Sequence, residues 1–338
     1  KKALFEWRNT ALDQSFFLYG RGYKIISRAN NILENLDKLA DNEFRGNIEG
    51  EALALRALVH FDMARIYCQI PTQNTSAGSS LGIYYANSFS PEESPVRSGT
   101  TVNGVYDLVE ADLLNAADLI NENNPVGRLN KAAVYGLLSR FYLHKGDYDA
   151  CVQYSDLAIA RGVPVAPREE FENIWYDEYD DNILLKILVT DADDWRPGVP
   201  FSQENADKEI RSEYVCSYEL YQLFSSNDIR LEASVVTSEY NGVLYNHVKK
   251  HLGRKSGDKN VIDGKYLRIE EVYLNKAEAI YRSGGSAGTE AEALAALDAV
   301  RDERYSPAVA GGETGAALLD SIMLERRLEF AFESDRFF

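Results

Sequence analysis

Carboxylates, histidines and aromatics in loops are the residues through which this sequence could do chemistry. Glu271 and Glu278 fall on one helical stretch, and Glu325, Arg326, Arg327 and Glu329 on another. Two carboxylates act as acid and base only at a defined separation across a cleft. Acids and bases on packed helices pair with one another instead, so ion pairing between helices and capping is the reading here. Asp177, Glu178, Asp180 and Asp181 precede an apolar run, and Asp191, Asp193 and Asp194 follow it. Calcium wants several oxygen ligands, but the spacing does not follow the EF-hand pattern, and solvated loop charge is expected. His247 and His251 are four apart, a spacing that holds zinc on a helix. Their local sequence, YNHVKKHL, reads as extended, which sets the two rings too far apart. Cys68, Cys151 and Cys216 form no C-x-x-C and sit in apolar or helical contexts, so buried thiols are expected. Gly20-Arg21-Gly22 lacks both a preceding strand and a third glycine, and neither a P-loop, a G-x-S-x-G nor a Cys/His dyad occurs. No metal, cofactor or catalytic group is expected.

Aromatics are the better lead. The apolar face of a sugar ring stacks on Trp and Tyr, while Asp, Asn and Arg bond its hydroxyls. Tyr84, Tyr85 and Asn87 lie in one long loop, and Asp194, Trp195 and Arg196 in another. Tryptophan exposes a large apolar face at a cost, so Trp195 either stacks on a ligand or folds back to anchor its loop. The expectation is a stacking platform, stiffened by Pro197 and helped by Tyr84 or Tyr85. Trp175, in the stretch FENIWYDEYDDNILL, is assigned to core packing.

The elements that must position these residues are mostly helices. Apolar residues recur at helical spacing over about 22–39, 49–69, 102–121, 130–144, 147–160, 267–282, 290–305 and 314–333, with a short helix near 217–225. Pro71 stops the second. Residues 72–101 are rich in Ser, Thr, Gly, Asn and Pro, and a loop of that length is usually functional. The run ILLKILV at 183–189 reads as a buried strand, and Asn241-Gly242 as the turn of a hairpin within 235–252. Tyr135, Leu138, Tyr142, Gly146, Tyr148, Cys151, Ser155 and Ala158 match the spacing of large and small residues in a tetratricopeptide unit. The fold class is therefore mainly α: a scaffold of tetratricopeptide-like helix pairs with loop-rich insertions and a minor β element.

A net charge of −17 over 338 residues repels phosphate backbones and anionic lipid, which argues against nucleic acid as a partner and against docking on a charged membrane surface. No apolar run approaches the ~20 residues needed to span a bilayer.

Six segments together resemble the SusD/RagB family: EALALRALVHFDMARIYCQIP (Glu51–Pro71), SPVRSGTTVNGVYDLVEADL (Ser94–Leu113), Gly127–Ile159, NDIR (Asn227–Arg230), YLRIEEVYLNKAEAIYR (Tyr266–Arg282) and LERRLEFAFESDRFF (Leu324–Phe338). The resemblance implies one SusD-like domain over 1–338. Its scaffold would cover about 20–71, 102–162 and 266–338, with ligand-binding insertions at about 72–101 and 163–265. It implies a non-enzymatic role: binding an oligosaccharide or other nutrient at the outer cell surface and delivering it to a SusC-like TonB-dependent outer-membrane transporter. It also implies an N-terminal lipid anchor, for which this chain has no cysteine, and both ends read as cut short. Ligand contacts in the family come from loops such as those of Tyr84 and Trp195. A tetratricopeptide scaffold for a protein or peptide, and an all-helical glycoside hydrolase or lyase, stay open as alternatives.

Overall fold

Helical periodicity decides most of the chain. The structure, a computed structural model, describes residues 18–90, 99–193, 196–204, 209–257, 259–309 and 311–333. Contacts divide it into two units: residues 1–121 with 144–146, and residues 122–143 with 147–338.

The first unit is built on three helices, α1 (Leu18–Leu33), α2 (Glu43–Tyr67) and α3 (Val102–Leu119). The Asn42 side chain caps α2 by accepting from Arg45 N at 3.1 Å, and Thr101 caps α3 by accepting from Gly104 N at 3.1 Å. Helix α2 packs against both neighbours, and Gly50 sets the close approach at its start: a Cβ there would sit 2.9 Å from Ile120 N. The loop after α2 closes on itself, with Gly82 N donating to Thr100 O at 2.8 Å and Val102 N to Ser80 O at 2.9 Å. A long loop so tied has little backbone freedom at its base.

The second unit carries helix α4 (Lys131–Lys145) up to residue 143, and α5 (Tyr148–Ile159), α6 (Tyr218–Tyr221), α7 (Ile229–Ser234), α8 (Ile269–Arg282), α9 (Glu290–Arg301) and α10 (Gly315–Glu329). Small residues let the helix pairs approach. Ser139 and Ser155 share a hydrogen bond at 2.8 Å beside Cys151, and Asn275 of α8 donates to Ser139 Oγ at 3.2 Å. Leu274, Ala277, Ile280, Ala293, Leu297 and Leu318 form the apolar core of α8, α9 and α10. Arg140 grips Glu271 with both arms, at 2.6 and 2.7 Å.

Three small antiparallel sheets accompany the helices: β1 (Ile183–Ile187) with β6 (Gly264–Arg268), β2 (Gln203–Glu204) with β3 (Ile210–Arg211), and β4 (Val235–Tyr240) with β5 (Val243–Val248). The β4–β5 turn is Asn241-Gly242, both at positive φ (52° and 78°), as the mirror-image hairpin turn requires. Strand β1 was expected to be buried throughout. It is buried only at Ile183–Leu185, and Ile187 and Leu188 are 54% and 59% exposed, because β1 has one partner strand and its far end lies open.

Strand β6 runs straight into α8, and that junction is fixed by buried charge. Arg268 Nη1 lies 2.8 Å from Glu329, and Arg304 lies 2.8 Å from Glu270 and 2.9 Å from Glu329. Arg230 adds Asp228 at 2.8 Å and Glu329 at 3.3 Å. All six are almost wholly buried. The segments NDIR, YLRIEE and LERRLEF thus meet in one ion network, which is the structural role expected for the helix carboxylates. Three guanidiniums hold the Glu329 carboxyl well below the usual range against the opposing effect of burial.

Candidate functional site

A pocket of about 390 Å³ opens in the second unit. Its floor begins at Trp175, on the one-turn 3-10 helix Asn173–Tyr176. The indole is 2% exposed, with Lys250 Nζ 4.2 Å from its centroid and Phe171 and His251 at its edges. Sequence reasoning assigned Trp175 to packing, and the ring does pack. It also lines the pocket, and its Nε1 makes no hydrogen bond.

His251 stands next to it, just beyond β5. Phe332 O can only accept, so the His251 proton sits on Nε2, which donates to that carbonyl at 3.0 Å. Burial pushes the imidazole pKa down to about 4, with Lys250 and Lys265 adding to the shift and Glu333 opposing it. The ring is therefore neutral at pH 7. The extended reading of YNHVKKHL holds through Val248. His247 is buried in β5 against Ser212, 2.9 Å from its Oγ, while His251 belongs to the pocket. Among the described residues, no group of three or more His, Cys, Asp or Glu is arranged to hold a metal ion.

The walls are half-buried aromatics: Phe201, Tyr266 and Phe332. Phe201 lies 5.2 Å from the His251 ring. Its loop comes this close because residue 198 is glycine: a Cβ there would stand 1.8 Å from His251 O. Three of the pocket's charged side chains, Lys265, Asp263 and Glu333, are ion-paired. Lys265 bonds Asp177 and also Asp263 O at 3.1 Å; the Asp263 carboxylate accepts from Arg254 at 2.8 Å, and Glu333 accepts from Lys250 at 2.6 Å. The acidic residues Asp177, Glu178 and Asp180, considered above for calcium, are spent on Lys265, Arg254, Lys255 and Lys186.

The expected ligand residues divide between the units. Arg196 lines the pocket and donates to Lys259 O at 3.4 Å. Asp194 and Trp195, which precede it in sequence, lie outside the described residues. Tyr84 is half-buried and Asn87 exposed in the first unit. The structure does not offer Tyr85 as a stacking platform. It is 7% exposed, its ring lies flat on His60 at 3.9 Å, and its hydroxyl donates to Asp112 Oδ2 at 2.6 Å. One face and the polar tip are thus used in packing, and the ring is buried. Sequence reasoning missed His251, Phe201, Tyr266 and Phe332. The one available signal was the Pro-flanked stretch RPGVPF, which stiffens a loop around an aromatic.

Comparison with known proteins agrees with this architecture. Residues 4–143 match a family model described as starch-binding and associating with the outer membrane, and residues 171–338 match that of the SusD family. The chain belongs to the SusD/RagB family. A SusD-like protein of Bacteroides ovatus is 23% identical over 96% of this chain, which spans 65% of that relative's length. A SusD superfamily protein from Bacteroides thetaiotaomicron is 26% identical with a TM-score of 0.81, over 94% of this chain and 73% of the other. The fold is shared too by surface glycan-binding protein A from Bacteroides uniformis, at 22% identity and a TM-score of 0.73, over 95% of this chain and 72% of that one. The helix-pair scaffold and small sheets described above are thus the SusD fold, and no described helix is long and apolar enough to cross a membrane.

Proposed function

We propose that this SusD-family chain captures an oligosaccharide at the outer cell surface and delivers it, unaltered, to a SusC-like TonB-dependent transporter. The observation that carries the binding half is the pocket. Aromatic rings of Phe201, Tyr266 and Phe332 line it beside a neutral imidazole and the Arg196 guanidinium, a composition that suits a polyhydroxylated ring. Arg196 lines that pocket, Trp195 and Asp194 beside it in the chain are further candidate contacts, and Tyr84 and Asn87 form a separate candidate contact surface on the first unit. Family membership supports the cell-surface location, the lipid anchor and the transporter partner, none of which depends on the pocket.

The test is an affinity-gel and calorimetry panel on the purified chain, with laminarin, xyloglucan oligosaccharides, starch oligosaccharides and oligogalacturonate. Saturable binding to at least one polysaccharide without release of products is expected. Hydrolysis abolished by one carboxylate-to-amide change would overturn the binding-only reading. Copurification of the anchored protein with a transporter from native membranes checks the delivery step, and repeated recovery without one would count against it.

A further inference from the structure

Tyr266 differs from the other rings of the pocket in how it is held. In β6, Leu267 stands opposite Leu185 and Lys265 opposite Lys186, so Tyr266 falls between them as the extra residue of a β-bulge. A bulge turns a side chain out of the strand's regular alternation, and bulges recur beside active sites for that reason. The Tyr266 carbonyl accepts from outside the ladder, from Arg140 Nη2 at 2.9 Å. The same guanidinium covers one face of the ring, its Cζ 4.9 Å from the centroid. Arg140 is itself buried and gripped by both oxygens of Glu271. The neighbours of Tyr266 in the strand are anchored too: Leu267 is buried, and the Lys265 side chain is buried against Asp177. Tyr266 lines the pocket and Arg140 does not, so the pocket meets the ring on the side away from the guanidinium. Phe201 and Phe332 are placed differently. Phe201 packs on His251 and Phe332, with centroids 5.2 and 6.5 Å away, and Phe332 packs also on the apolar cluster of Phe224 and Leu328.

We propose that Tyr266 is the stacking platform of this pocket, its ring carrying the C–H face of one sugar residue. This deepens the glycan reading of the pocket and rests on it. A pyranose presents C–H groups on its faces and hydroxyls around its rim, so an aromatic plane takes a face while polar groups reach the rim. Arg196, His251 and Glu333 line the same pocket and are polar groups available to that rim. Ordering a mobile side chain weakens binding, and a ring already clamped from behind has little freedom left to lose. The bulge aims the ring, and Arg140 keeps it aimed before any ligand arrives.

Tyr266→Phe keeps the ring, and Tyr266→Leu removes the aromatic plane. With whichever oligosaccharide of the panel binds, calorimetry should give Tyr266→Phe an affinity within about two-fold of wild type. Tyr266→Leu should bind at least about five-fold more weakly, the low end of what base–aromatic stacking contributes. The contact itself is read in the wild-type complex. With protonated tyrosine in an otherwise deuterated protein, cross-relaxation should connect sugar C–H protons to a tyrosine ring, and Tyr266→Phe should remove those cross-peaks. A smaller loss in Tyr266→Leu overturns the inference. A larger loss in Tyr266→Phe does so too, because it would make the hydroxyl the contact and not the face. Cross-peaks that are absent from the saturated complex, or unchanged by Tyr266→Phe, overturn it as well, and this arm decides the matter if Tyr266→Leu does not fold. Each of these results leaves glycan binding intact. Wild-type protein that binds no oligosaccharide overturns the glycan reading and the inference together.

Discussion

His60 and Tyr85 lie face to face, centroids 3.9 Å apart and planes 15° from parallel. This pair fastens the loop after α2 to the helices beneath it. His60 Nδ1 donates to Arg56 O at 2.9 Å, and His60 Nε2 accepts from Ala86 N at 3.1 Å. Arg56 then forks onto Asp112 at 2.6 and 2.7 Å and reaches Asn30 Oδ1 at 2.9 Å, while Asn30 donates to the carbonyls of Ala86 and Ser88. A neutral imidazole, one ion pair and one amide thus hold Tyr84 and Asn87 in place.

Tyr85→Phe is expected to lower stability by about 1–3 kcal/mol, the cost of leaving a buried charged acceptor one donor short. Glycan affinity should stay within two-fold of wild type. Urea unfolding and calorimetry check the two halves, and a large loss of affinity at unchanged stability would make the Tyr85 hydroxyl a ligand contact.

Acid should destabilise this protein above the carboxylate range. Burial lowers His60 to about 3 and His251 to about 4, from an ordinary value of 6.5. The folded state refuses a proton that the unfolded state takes, so both contributions are complete above pH 6.5 and shrink as pH falls toward the folded values. Each amounts to about 2 kcal/mol by pH 5. Urea midpoints should hold level from pH 7.5 to about 6.5 and fall from there to pH 5, and a profile flat throughout would mean that both rings titrate normally.

Glu329→Gln should be among the most damaging single changes. It leaves Arg230, Arg268 and Arg304 buried with one anion fewer, and breaking a buried pair costs about 3–5 kcal/mol. Loss of soluble expression, or a drop of that size by chemical denaturation, is expected. An unchanged midpoint would show that the network is dispensable.

Gly198→Ala should act on the site through its loop. The new methyl meets His251 O, so the segment carrying Arg196 and Phe201 must move. Weaker glycan binding, with a smaller loss of melting temperature than Glu329→Gln gives, is the expected result, and undiminished affinity would detach this loop from the site.

Trp195→Ala is expected to weaken glycan binding by about 1–3 kcal/mol, taking base–aromatic stacking as the nearest analogue, with the melting temperature nearly unchanged. If the melting temperature falls and affinity holds, Trp195 anchors its loop instead.

Much of this fold was legible before any coordinates. Period-3.6 stripes marked α3, α4, α5 and α8 to within about two residues of their ends, though α2 begins at Glu43, a turn and a half before its apolar stripe, and Asn241-Gly242 announced its hairpin, because these signals are local. The small residues Cys151, Ser155 and Ala158 marked a close helix contact, because only small side chains permit one. Sequence also singled out Arg196 as a candidate ligand contact, on composition alone, and Arg196 lines the pocket. What it did not determine was which rings would face one another. Tyr85 and Trp195 look equally available in a loop, yet Tyr85 is consumed by His60 and Asp112, residues 25 and 27 positions away. Trp175, His251 and Phe332 meet at one pocket from positions far apart in the chain. Local period fixes a residue's element and face, whereas its partners depend on how distant elements pack, and only the tertiary structure decides that.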